Sequence, residues 1–177
     1  MSCDATKLID YESISSSVLE HETQLEELRQ MIVKDVPDTD CQTIGETHVL
    51  GWGYYPSGEW RKRDKTMATV QDVLNQVGLS EERYKRYLEI LADLDAIDGV
   101  SHCENAFVGS EEGLTQTSIV VAQKTTDLHF FKYGNTCSAS IVSTGSYDVP
   151  SSEAGENGVR YIATPISDAW HVETRCY

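Results

Sequence analysis

Residues 79–100 read LSEERYKRYLEILADLDAIDGV, and the change of periodicity at their end decides the fold class. Ser80 stands where a helix N-cap is wanted, and Glu81 and Glu82 follow it at the positive end of the helix dipole. Tyr84, Tyr87, Leu88, Leu91 and Leu94 then recur at three- and four-residue spacing, the single apolar stripe of a helix that covers something. From Val100 onward the period shortens to that of strands. Predicted strands cover residues 103–108, 117–122, 128–133, 138–144, 159–164 and 169–175, punctuated by Gly, Asn and Pro as an antiparallel meander requires.

Upstream, Ile14, Val18, Leu25, Leu28 and Ile32 mark a helix over residues 15–34. Ser17 and Glu20 have capping-box spacing, and Pro37 ends the element. Residues 48–55, HVLGWGYY, read as one strand with a bend at its glycines, followed by a turn at Pro56-Ser57-Gly58. Val70, Val73, Leu74 and Val77 mark a third helix over residues 66–77, closed by Gly78. With no βαβ alternation, this is an α+β chain: three helices covering one face of a mostly antiparallel sheet built mostly from residues after Val100. The expected organisation is a polar spacer over residues 1–13 and a single domain over residues 14–177. Residues 151–158, polar and glycine-rich, are expected to form a mobile loop.

The 177 residues carry 29 acidic and 14 basic side chains, a formal net charge of −15. Such a surface repels nucleic-acid phosphates and anionic lipid and attracts basic partners, although charge of this size also simply keeps a protein in solution. The basic block Arg61-Lys62-Arg63-Asp64-Lys65 is expected to be a solvated loop.

Five cysteines contain no CxxC pair, which argues against a structural zinc site. Cys41, Cys103, Cys137 and Cys176 suit two disulfides in an oxidising compartment, with three connectivities open. The plain alternative is four buried thiols in a cytoplasmic protein. Cys3 is the odd one, beside a polar stretch that cannot fold by itself.

No constellation spells out a reaction. The five histidines, His21, His48, His102, His129 and His171, include neither HxxxH nor HExxH, and no Gly-rich phosphate cradle is present. Gly109-Ser110 and Gly145-Ser146 read as hairpin turns, not as strand-to-helix elbows for a serine nucleophile. Cys137 with His129 upstream imitates a Cys–His pair, but an acidic setting disfavours the thiolate, so half-cystine is the better reading. No catalytic residue, metal or cofactor is assigned.

The order of elements, with residues 79–100 as the helix and ISDAWHVETRCY (166–177) as the closing strand, resembles a loose group of uncharacterised small bacterial lipoproteins. Ser2-Cys3 is similar to the last two positions of a lipobox, which implies Cys3 as the lipid attachment site and residues 4–13 as a tether. Asp4 would then favour retention in the inner membrane. Small acidic, disulfide-bearing, tethered periplasmic domains are also similar in character to immunity proteins of interbacterial toxin systems.

Two readings compete. The first is a membrane-tethered periplasmic binding or inhibitory protein, possessing a basic protein partner and contacting the membrane only through its lipid. Its contact residues are expected at Trp52, Tyr54, Tyr55 and Trp60 and in the loop bearing Glu153 and Glu156; the alternative is that the aromatics are core. The second is a hydrolase built around His129, His171 and an acid. A cytoplasmic regulatory protein is the third option if the cysteines are reduced.

Overall fold

Asp10, not a serine of the 15–17 cluster, starts the first helix. Its carboxylate accepts a hydrogen bond from the Ser13 amide at 3.1 Å, and α1 runs Tyr11–Glu20. The computed structural model describes residues 10–36, 41–62, 65–103, 116–126, 135–143, 153–154 and 160–176, with side chains at 10–36, 41–62, 65–102, 139–143 and 163–174. The predicted first helix is two, because the chain breaks at His21 before α2, Glu22–Asp35. Residues 10–13, read from sequence as spacer, belong to the fold: the Tyr11 hydroxyl shares a 2.6 Å hydrogen bond with Thr174 Oγ1, 163 positions away.

Helix α3, Val70–Val77, is shorter than its pattern suggested, because Lys65–Met67 is a strand. A reciprocal capping box starts it: Thr69 Oγ1 accepts from the Asp72 amide while Asp72 Oδ2 accepts from the Thr69 amide. Gly78, at φ +75°, closes it. Helix α4, Glu81–Asp93, starts at Ser80 as read. It ends without a glycine: Asp95 takes the left-handed conformation at φ +51°, the Ala96 amide reaches back to the Leu91 carbonyl, and the Asp95 amide to that of Ala92.

The sheet is antiparallel at every ladder described. Its strands are β1 Gln42–Gly45, β2 His48–Val49, β3 Trp52–Tyr55, β4 Glu59–Lys62, β5 Lys65–Met67, β6 Gly99–Cys103, β7 Gln116–Thr126, β8 Asn135–Ser143, β9 Glu153–Ala154, β10 Arg160–Pro165 and β11 Trp170–Cys176. Their spatial order is β5-β4-β3-β2-β1-β6-β7-β8-β11-β10-β9. The first five strands meander outward from β1, the chain crosses through α3 and α4, and β6 returns to the free edge of β1. Five short strands precede Val100, and β6 to β11 supply most of the sheet, as the change of period predicted. The predicted strand 128–133 lies outside the described residues.

Residues 48–55 form a hairpin rather than one bent strand. Leu50 and Gly51 are both left-handed, at φ 46° and 81°, and make a two-residue turn whose twist matches the flanking strands. Leucine rarely adopts this conformation; here its side chain is buried and its amide donates to the Thr43 carbonyl at 2.9 Å. Of the basic block, Arg61 and Lys62 lie on β4 opposite Thr66 and Lys65 of β5; Arg63 and Asp64 lie outside the described residues.

The four described helices line up along the sheet, α3 on β5, α4 on β1, α2 on β6 and β7, and α1 on β11. Between the layers lie Leu25, Leu28 and Ile32 of α2, Val73 and Leu74 of α3, and Tyr84, Tyr87, Ile90 and Leu91 of α4. They meet Ile44, Val49, Trp52, Val100, Ile141 and Trp170 from the strands. Polar ties hold α2 to α4 at the layer's outer edge: Arg83 Nε donates to Asp35 Oδ2 at 2.7 Å, the Tyr87 hydroxyl to the same atom at 2.8 Å, and Arg86 to Glu27 at 2.6 and 2.8 Å.

Candidate functional site

The β3–β4 hairpin carries the described aromatic residues that face water. Gly58, at φ +84°, turns the chain, and its amide donates to the Tyr55 carbonyl at 2.9 Å. The register sets Tyr54 opposite Trp60 and Tyr55 opposite Glu59. Successive residues point to opposite faces, so the two tyrosines stand on different sides of one ribbon.

The four aromatics predicted as contacts divide into pairs. Trp52 and Trp60 are core, 1% and 5% exposed, which corrects their reading as interface anchors. Tyr54 and Tyr55 are 47% and 48% exposed. The tryptophans sit inward because Trp60 pairs with Met67 on β5, which α3 covers. Tyr54, nearer the turn, keeps one side of its ring on Trp60, at 5.6 Å between centroids and 51° between planes, and shows the other to solvent. On the opposite face the Arg61 guanidinium lies 5.4 Å from the centre of the Tyr55 ring and bonds Glu59 Oε2 at 2.6 and 3.1 Å. Each ring is thus braced on one side within the hairpin and open on the other.

Beside Tyr55 stand Glu59 and Arg61, while Glu12, Glu20, Glu82, Asp93, Asp95 and Asp98 are exposed elsewhere among the described residues. Basic side chains of the helices are matched by acids: Arg29 with Glu26, Arg83 with Asp35, Lys85 with Glu81, and Arg86 with Glu27. These pairs hold the Glu26, Glu27 and Glu81 carboxyls below the usual range, chiefly through the hydrogen bonds from Arg29, Arg86 and Lys85. Acid also reaches the sheet, where Asp98 lies 3.5 Å from His48 of β2, the strand paired with β3.

Glu153 lies on β9, with its backbone opposite Tyr161 of β10, so part of the predicted loop 151–158 is an edge strand; Glu156 lies outside the described residues. Strand β9, which carries Glu153, is not beside the β3–β4 hairpin, since it ends the sheet at the edge opposite β5. Cys41 precedes β1 and is disulfide-bonded. Cys103 ends β6, while Cys137 and Cys176 lie on β8 and β11; Cys3 lies outside the described residues.

Of the hydrolase residues, His129 lies outside the described residues. His171 is on the sheet face away from the helices, with Nε2 3.3 Å from Glu173 Oε1 and side chains only 6% and 14% exposed. An adjacent His–Glu pair this deeply covered has the geometry of a structural tie, and sequence spacing alone, two residues apart on one strand, could have found it. Among the described residues no group of three or more His, Cys, Asp or Glu side chains could hold a metal ion, and no helix is long and apolar enough to cross a membrane. Comparison with family models, curated proteins and solved structures finds no match to this chain.

Proposed function

We propose that this protein is a binding or inhibitory protein of the bacterial periplasm, tethered to the membrane through a lipid on Cys3, that engages a basic partner protein with the tip of its β3–β4 hairpin. The observation that carries the reading is the pair of half-exposed tyrosines, Tyr54 and Tyr55, braced from below by Trp60 and Arg61. Tyrosine gives a large, rigid contact with a polar tip, which is the chemistry interfaces concentrate at their anchors. The acids of the helical layer act at longer range, speeding encounter with a cationic partner, while the hairpin makes the contact. The Cys41 disulfide supports an oxidising compartment, where such a bond persists. An immunity protein that neutralises a periplasmic toxin fits this character.

The test places a photo-crosslinking side chain at position 54 or 55 of the full precursor in cells, with position 12 as control. A discrete adduct at 54 and 55 and none at 12 is expected. The purified complex should then associate at least about tenfold more slowly at high than at low salt, because exposed charge is screened beyond about 8–10 Å. Tyr54→Ala/Tyr55→Ala should weaken it by about 2–4 kcal/mol. A salt-insensitive complex, adducts that do not depend on position, or turnover of a peptidoglycan or lipid substrate by the purified protein overturns the reading.

A further inference from the structure

Four cysteines admit three pairings, and the backbone register separates them. In the β8–β11 ladder, Cys137 and Cys176 are direct Cα partners. In the β1–β6 ladder, Gln42 is opposite His102, so one step further along the same antiparallel pair sets Cys41 opposite Cys103. Directly opposed residues of an antiparallel pair have Cα atoms about 4.5–5.5 Å apart, inside the about 4.4–6.8 Å that a disulfide spans.

The other pairings fail on distance. From β1 to β8 are three strand steps, through β6 and β7, and from β1 to β11 four. At about 4.8 Å per step these gaps are about 14 and 19 Å, two to three times what a disulfide reaches. Linking Cys103 on β6 with Cys137 on β8 needs two steps, about 10 Å, which is also too far.

From this juxtaposition we infer that the protein carries two cross-strand disulfides, Cys41–Cys103 and Cys137–Cys176, with Cys3 left out of both. The bond already formed at Cys41 requires a partner, and Cys103 is the cysteine the register offers. Formation of each bridge converts two thiols to one S–S bond with loss of two protons and two electrons. The acceptor is the disulfide of a thiol–disulfide oxidoreductase, which becomes a dithiol.

The two bridges sit at different joints. The β1–β6 ladder is the only one described that connects the early meander to the later strands, so Cys41–Cys103 stitches the sheet where its two halves meet. Cys137–Cys176 pins the last strand to β8. Neither inference depends on what the protein binds or on a lipid at Cys3.

The chain's own cleavage sites make the test direct. Cutting after every Lys and Arg puts the five cysteines in five peptides: 1–7, 35–61, 87–124, 133–160 and 176–177. Purified full-length protein, alkylated under native oxidising conditions, digested and analysed without reductant, should show 35–61 joined to 87–124 and 133–160 joined to 176–177. As a second arm, Cys137→Ser should expose one new alkylatable thiol at Cys176 and leave the 35–61/87–124 pair intact. A bond between 35–61 and 133–160, 176–177 or 1–7, or alkylation of all five thiols, overturns the assignment. So does a Cys137→Ser variant whose new thiol is Cys103.

Discussion

Replacing Gly99 by alanine tests how closely β6 is pressed against β1. Gly99 pairs with Gly45, and a Cβ on Gly99 would lie 2.4 Å from the Ile44 carbonyl oxygen, 2.8 Å from its carbon and 3.0 Å from the Gly45 Cα. All three atoms are backbone, so no side chain can swing away. Moving the oxygen contact from 2.4 Å to 3.0 Å, where real contacts begin, demands that the strands part by about 0.6 Å. Overpacking of this kind costs about 1–3 kcal/mol. The shift also pulls the Gly45 carbonyl from the Tyr84 hydroxyl, which donates to it at 3.0 Å, and a lost hydrogen bond adds about 1 kcal/mol. Against this, alanine restricts the unfolded chain, a gain of about 0.4–1 kcal/mol. The net expectation is a loss of about 2–3 kcal/mol, or about 5–10 °C in Tm for a chain of this size. Urea denaturation of the oxidised protein measures it, with two controls. Gly53→Ala meets nothing nearer than Tyr55 Cε2 at 3.6 Å and should be near neutral; Gly78→Ala meets nothing but must hold φ +75° and should lose about 1 kcal/mol. If Gly99→Ala is as stable as Gly53→Ala, the close approach of β1 and β6 is wrong.

Removing Asp35 should be costly, because Arg83 and Tyr87 both donate to it: Asp35→Ala is expected to lose about 2–3 kcal/mol, and a double-mutant cycle with Arg83→Ala to return a coupling of about 1 kcal/mol, since Arg83 is partly open to water. Burial, with Glu46 adding to it, pushes the Tyr84 phenol up to about 12 from its ordinary 10.0. Its neutral form therefore stabilises the fold fully below pH 10 and less as pH rises through 12; alkaline melting curves should show this limb, flattened in Tyr84→Phe. Trp170 is buried with no hydrogen-bond partner for its indole Nε1 among the described residues, so Trp170→Phe should cost no more than about 1.5 kcal/mol despite full burial, the relief of an unpaired donor offsetting lost packing; calorimetry showing a loss above about 3 kcal/mol refutes this.

The elements that the sequence alone determined are those whose signals are local. Ser80 with its following acids, the Tyr84–Leu94 stripe and Gly78 describe α4 and the end of α3 because capping and helical periodicity act within one or two turns. The shift to period two after Val100 gave the α+β class, since alternation reports a half-buried strand wherever it pairs. What tertiary structure decided was pairing and cover. Strands β1, β4 and β5 are three or four residues long, too short for alternation to register, and exist because a neighbour supplies their hydrogen bonds. Leu50 turns left-handed only because its side chain finds the core and its amide finds Thr43. Tyr11 joins the fold through Thr174, far along the chain. Tyr55 differs from Trp52 and Trp60 by lying on the other face of the ribbon, whereas Tyr54 shares their face and differs only in how far packed neighbours cover it, which four neighbouring aromatics do not encode. Cysteine number indicates that bridges are possible, but which thiols meet depends on strand order, and strand order is a product of contacts between residues far apart in sequence.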